Sequence, residues 1–181
     1  MKKLAIIASL AAVFGSITVA QAASTGTITF SGELTASTCD VVVDGQATDA
    51  TVVLPKVGIS QLDAATKTAG ETGFNMALTN CTGTLQSASA FFQQGPSVDQ
   101  VTGRLKNLSG TATNVSLQLL DASSPSRAVI QVGNQNQVTN TTYKSVSSGS
   151  VTLPYTVRYY AEGATTAGSV VSNVVYNIQY Q

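Results

Sequence analysis

Polar and apolar residues alternate along much of this chain with a period of two. That is the mark of a strand with one buried face, because successive side chains leave the pleat on opposite sides. The first clean case is Gly26-Thr27-Ile28-Thr29-Phe30-Ser31-Gly32-Glu33-Leu34, with Ile28, Phe30 and Leu34 on one face and Thr27, Thr29, Ser31 and Glu33 on the other. Gly32 falls on the apolar face, where a glycine weakens a strand and marks a close approach by another backbone or side chain. On pattern alone this segment is either the first strand of the chain's own sandwich or a strand given to another molecule.

Further along, Asp40-Val41-Val42-Val43-Asp44-Gly45 and Thr51-Val52-Val53-Leu54-Pro55 read as short strands, ended by a turn and by a proline. Residues 59–73 hold at most a turn or two of helix. Phe74, Met76 and Leu78 then alternate on a core face and deliver Cys81 to a strand end opposite Cys39. Residues 89–92 form a short strand before the turn at Gly95-Pro96. Val115, Leu117 and Leu119 form another, closed by the turn residues of 121–126, and 129–132 continue beyond it. The Asn- and Gln-rich stretch 133–142 reads as loop. Residues 151–160 make the longest strand, with Pro154 near its start, a placement tolerated at a sheet edge. At the end of the chain Val174, Tyr176, Ile178 and Tyr180 face one way and Val175, Asn177, Gln179 and Gln181 the other. Many short alternating segments with regular turns predict an all-β, antiparallel sandwich.

The start of the chain has a different pattern. Met1-Lys2-Lys3, an apolar run over 4–14 and Ala20-Gln21-Ala22 have the layout of a secretory signal. The run is shorter than the roughly twenty residues a membrane span needs. We therefore expect residues 1–22 to be cleaved, leaving 159 of the 181 residues. Removing Lys2 and Lys3 takes the basic residues from 9 to 7 against 9 acids, a formal charge of −2. The remaining cations are scattered, which gives no footprint for nucleic acid. Charged residues are only 10% of the chain, well below the usual quarter. Ser, Thr, Asn and Gln take their place, as suits a protein that packs against copies of itself.

Cys39 and Cys81 are the two cysteines. In an exported chain an even pair reads as a disulfide, worth on the order of 4 kcal/mol for a loop of about forty residues. The sequence contains no histidine, so the commonest general base, triad partner and metal ligand is missing. No spacing of the carboxylates singles out a catalytic pair, and there is neither a phosphate-cradling glycine loop nor a metal-ligand cluster. We expect no enzyme, no metal site and no cofactor. A rival outside the structural class is a secreted monomeric module that binds carbohydrate on Tyr143, Tyr155, Tyr159 or Tyr160.

The ordered set of features resembles the major subunit of type 1 fimbriae, the pilins of the bacterial chaperone-usher pathway. The set comprises the signal, the Gly-x-Ile-x-Phe-x-Gly-x-Leu segment from Gly26, the Cys39 and Cys81 pair, and Phe74-Asn75-Met76-Ala77-Leu78. It continues with Ala112-Thr113-Asn114-Val115, Pro154 followed by Arg158-Tyr159, Gly168 fourteenth from the end and Tyr180 next to last. The resemblance implies an immunoglobulin-like antiparallel β-sandwich that lacks its last strand and is completed by a donor strand from a neighbouring subunit. It divides the chain into a signal peptide (1–22), a donor strand (23–35) and the pilin domain (36–181). The donor positions would be Gly26, Ile28, Phe30, Gly32 and Leu34. The groove edge, first paired with a periplasmic chaperone, would carry Gly168, Val174, Tyr176, Ile178, Tyr180 and Gln181. The implied partners are identical subunits, that chaperone and an outer-membrane usher, with export through the periplasm to a cell-surface fimbrium used in adhesion. A minor adaptor pilin is the alternative within the family.

Overall fold

The structure is a computed structural model that describes residues 26–34, 36 and 38–181. The expected signal, residues 1–22, and residues 23–25 lie outside the described residues. Residues Leu34–Gln181 form one compact unit; Met1–Glu33 form a second, taken here by itself. Within that second unit, residues 26–33 form no strand, and Ile28 and Phe30 are exposed.

The larger unit runs β1 (Thr38–Val43), a 3-10 turn (Ile59–Leu62), β2 (Thr68–Thr82), β3 (Ser87–Phe92), β4 (Leu105–Lys106), β5 (Val115–Asp121) and β6 (Val129–Ile130). It continues with α1 (Gln137–Asn140), β7 (Lys144–Ser145), β8 (Val151–Ala161) and β9 (Tyr176–Tyr180). One sheet has the order β1-β2-β8-β5-β4, with β6 also paired to β5; the other has the order β7-β3-β9. Every pairing is antiparallel.

The inward positions follow from the alternation. Phe74, Met76 and Leu78 of β2, Leu117 and Leu119 of β5, and Leu153, Tyr155 and Val157 of β8 meet Ala88, Ala90 and Phe92 of β3 in one core. Each large side chain so buried contributes about 1.5–3 kcal/mol. Tyr155 is the hub: Phe92 meets its ring edge-on at 5.1 Å and Phe74 lies tilted at 5.7 Å. The Cys39–Cys81 disulfide is formed and joins β1 to the end of β2, with a Cα–Cα distance of 4.1 Å.

Several strand expectations shift. The strand over 74–81 begins earlier, at Thr68, and of 59–73 only Ile59–Leu62 is helical. The stretch 133–142 is not all loop, since it contains α1. Among the described residues, 51–55 pair with no strand. Nor is β8 an edge strand: β2 and β5 flank it. Pro154 is tolerated for a local reason. It faces Asn75 of β2, and both backbone groups of Asn75 are turned to Asp44, whose Oδ1 accepts from the Asn75 N–H at 2.7 Å and whose N–H donates to the Asn75 carbonyl at 2.8 Å. The Asn75–Pro154 pair therefore requires no proline N–H, and pairing with β5 starts only at Tyr155.

The far side of β3 has a side-chain substitute for a strand. β7 covers only Ser87 and Ala88. Beyond them the Ala90 N–H donates to the Tyr155 hydroxyl at 2.9 Å. The Phe92 N–H donates to Oε1 of buried Gln137 at 3.0 Å, and Gln137 Nε2 returns a bond to the Phe92 carbonyl at 3.0 Å. One glutamine amide thus does the work of a paired residue, because its donor and acceptor match a backbone pair. Replacing Gln137 with Leu strands the buried Phe92 N–H and should cost about 1–3 kcal/mol of stability, read as a lowered midpoint in urea unfolding; an unchanged midpoint would show that the amide is dispensable.

Candidate functional site: an open apolar groove beside β9

The last strand has a neighbour on one side only. β9 pairs with β3 and, among the described residues, with nothing else. The hydrogen-bond phase fixes which backbone groups are left over. Gln181 and Ser87 exchange both bonds at 2.9 Å, and the Gln93 N–H donates to the Val175 carbonyl at 2.8 Å. In an antiparallel ladder bonded and non-bonded pairs alternate. The backbone groups of Val175, Asn177, Gln179 and Gln181 therefore point toward β3, and those of Tyr176, Ile178 and Tyr180 point to the open edge. An edge of this kind is a template for another strand.

Beside that edge lies a cavity of about 440 Å³. Its floor is the sandwich core: Phe74, Met76, Phe92, Leu117 and Val157. One wall is Ser172, Val174 and Tyr176; the other is the 48–54 segment, with Val52 and Leu54 turned inward. This second wall is extended without a ladder. Its turn is held by the Gln46 side chain, which accepts from the Thr51 N–H and donates to the Thr51 carbonyl, both at 3.1 Å. Residues 51–55 alternate in burial as a strand does, but pair with none among the described residues.

Two polar details matter. Ser172 Oγ lines the cavity region and is the one buried side-chain polar atom without a hydrogen-bond partner among the described residues. The Tyr176 hydroxyl donates to the Thr48 carbonyl at 2.8 Å, from one wall to the other. Burial, and then the Asp49 carboxylate, hold the Tyr176 phenol above its ordinary pKa. A raised phenol pKa favours the neutral hydroxyl, so this contribution is present below the ordinary tyrosine value and is lost as pH rises through the shifted one.

Of the groove-edge residues expected from sequence, Val174, Tyr176, Ile178 and Tyr180 pack one face against the core and remain half-exposed. Tyr180 is fixed by its hydroxyl, which accepts from the Cys39 N–H at 3.0 Å, so the disulfide corner and the end of β9 are joined. Gln181 closes the ladder with Ser87. Gly168 lies apart from the cavity lining. A Cβ there would sit 2.4 Å from the Ala112 nitrogen and 2.6 Å from the Thr111 hydroxyl, so only glycine allows that close packing. The wall at 48–54 was missed as part of the site; its signal was the inward pair Val52 and Leu54 ahead of Pro55.

Tyr155, Tyr159 and Tyr160 do not share one stacking face. Tyr155 is buried in the core. Tyr159 and Tyr160 are consecutive on β8 and so lie on opposite faces. The Arg104 guanidinium occupies the Tyr160 ring at 4.0 Å while pairing with Glu162 at 2.8 Å.

With the groove described, comparison with known proteins becomes informative. The family model "FimA: Type-1 fimbrial protein, A" matches residues 54–181. The chain belongs to the type-1 fimbrial protein family. It is a structural fimbrial subunit. Among its relatives, the F17 fimbrial protein of Escherichia coli is 35% identical over 97% of this chain and 97% of its own. The major fimbrial subunit SMF-1 of Stenotrophomonas maltophilia (strain K279a) is 38% identical over 87% of this chain and 94% of its own. The crystal structure of the P pilus rod subunit PapA superposes with a TM-score of 0.59 at 18% identity, covering 79% of this chain and 99% of that one. That likeness establishes the pilin fold for this subunit, an immunoglobulin-like sandwich with an incomplete sheet.

In the fimbrial subunit the unpartnered hydroxyl gives a direct handle on the groove. Ser172→Ala removes a buried group with no bond and should raise stability by about 1 kcal/mol, seen as a higher urea midpoint. A lower midpoint would mean that the hydroxyl has a partner.

Proposed function

We propose that this subunit polymerises by strand donation: residues 26–34 of one copy complete the sheet and fill the groove of the next, building the rod of a surface fimbrium. The observation that carries this is a pair of complementary defects in one chain. The domain leaves a β9 edge unpaired beside an apolar cavity. The same chain carries, at 26–34, a strand-patterned segment whose Ile28, Phe30 and Leu34 are 78%, 89% and 102% exposed. Burying those three side chains is worth roughly 5–9 kcal/mol before ordering costs. Edge hydrogen bonds at Tyr176, Ile178 and Tyr180 add to it, and the donated backbone supplies a partner for Ser172 Oγ. Pilin complementation by an added strand is an established mode of recognition.

Gly32 supports the same reading. A Cβ at Gly32 would meet nothing within 4 Å, so the segment itself makes no demand for glycine. The demand then comes from docking, in which the missing side chain leaves room at one pocket of the groove for the incoming strand to enter.

An exposed apolar edge is an aggregation hazard in transit. A periplasmic chaperone that covers β9 and holds the Gln181 carboxylate would remove the hazard, and an outer-membrane usher would release subunits to the growing fibre outside the cell. The role requires no bond to be made or broken in a substrate, and we assign no enzymatic activity.

Two measurements test this. A chain lacking residues 23–34 should be secreted but form no filaments by electron microscopy, whereas filaments from it would refute donation. Gly32→Asn should slow transfer of subunits from chaperone to polymer, followed as the appearance of complexes that resist a denaturing gel until boiled; transfer at the unmodified rate would exclude the free-pocket role of Gly32.

A further inference from the structure

Resting on strand donation, we propose that the Tyr176 hydroxyl and the Thr48 carbonyl form a clasp across the groove that must open before a strand is admitted, so that Tyr176 sets the rate of strand uptake. Both residues line the same cavity, on opposite walls. Their 2.8 Å bond is, among the described residues, the one hydrogen bond that joins the 46–55 segment to residues 172–181. A strand hydrogen-bonded to the β9 edge would place its backbone about 4.8 Å from it, between the wall that carries Tyr176 and the wall that carries Thr48. It must also engage the edge groups of Tyr176 itself. The clasp and the docked strand therefore compete for one place.

The chemistry separates the clasp from packing. The Tyr176 ring covers the core from the side, as a phenylalanine would. The hydroxyl adds only the bond to Thr48, and that bond belongs to the empty groove. The 48–54 wall is otherwise held by the packing of Val52 and Leu54 against the core and by its own turn at Gln46. Breaking the clasp frees this wall to move aside without dismantling the sandwich.

The test uses the full mature chain and a dye-labelled synthetic peptide of its residues 23–36, with uptake followed by fluorescence anisotropy. Tyr176→Phe should raise the uptake rate roughly two- to tenfold, the equivalent of one modest neutral hydrogen bond. Thr48→Ala keeps the accepting carbonyl and should take up peptide at the unmodified rate. Unchanged or slower uptake by Tyr176→Phe, or an accelerated Thr48→Ala, overturns the clasp while leaving the groove's occupant in place. Failure of the unmodified chain to take up peptide at all overturns strand donation itself.

Discussion

The structure depends on one unmet requirement of β-sheet chemistry: among the described residues, the backbone groups on the outer side of β9 have no strand partner, and the apolar core beside them lines an open cavity. A sandwich ordinarily solves both problems with one more strand, since a single strand supplies edge hydrogen bonds and inward side chains together. Here the two deficits coincide in space. Tyr176, Ile178 and Tyr180 present their backbone groups at the place where Phe74, Met76, Phe92 and Val157 are left uncovered.

The rest of the domain confines that deficit to one edge. On the other side of β3, where β7 stops at Ala88, the Tyr155 hydroxyl and the Gln137 amide take up the backbone groups of Ala90 and Phe92. A second open edge there would invite strands into the wrong place and compromise the register of assembly. The disulfide serves the same end. By fixing Cys39 against Cys81 it places the Cys39 N–H under the Tyr180 hydroxyl, so the far end of β9 is anchored while its outer side stays open.

The sparse charge of the chain fits this economy. Three ion pairs are formed among the described residues: Lys67 with Asp63, Arg104 with Glu162, and Arg127 with Glu71. None borders the cavity. Among the described residues, Asp49 is the one charged side chain that lines the cavity, so an apolar occupant would meet little charge to desolvate.

The alternating pattern was enough to establish an antiparallel sandwich, the core faces of β2, β5 and β8, the inward face of β9 and the odd segment at 26–34. Each of these depends on the period of two and on apolar burial, which are local properties of the chain. The tertiary structure decided the rest because it turns on who neighbours whom. It made β8 central despite Pro154, since Asn75 had already turned its backbone to Asp44. It left residues 51–55 unpaired among the described residues although they read as a strand, since a ladder needs a neighbour and a cavity lies between them and β9. It also recruited Gln137, which looks like any loop glutamine in sequence, because a buried backbone pair needs both a donor and an acceptor and an amide side chain carries both.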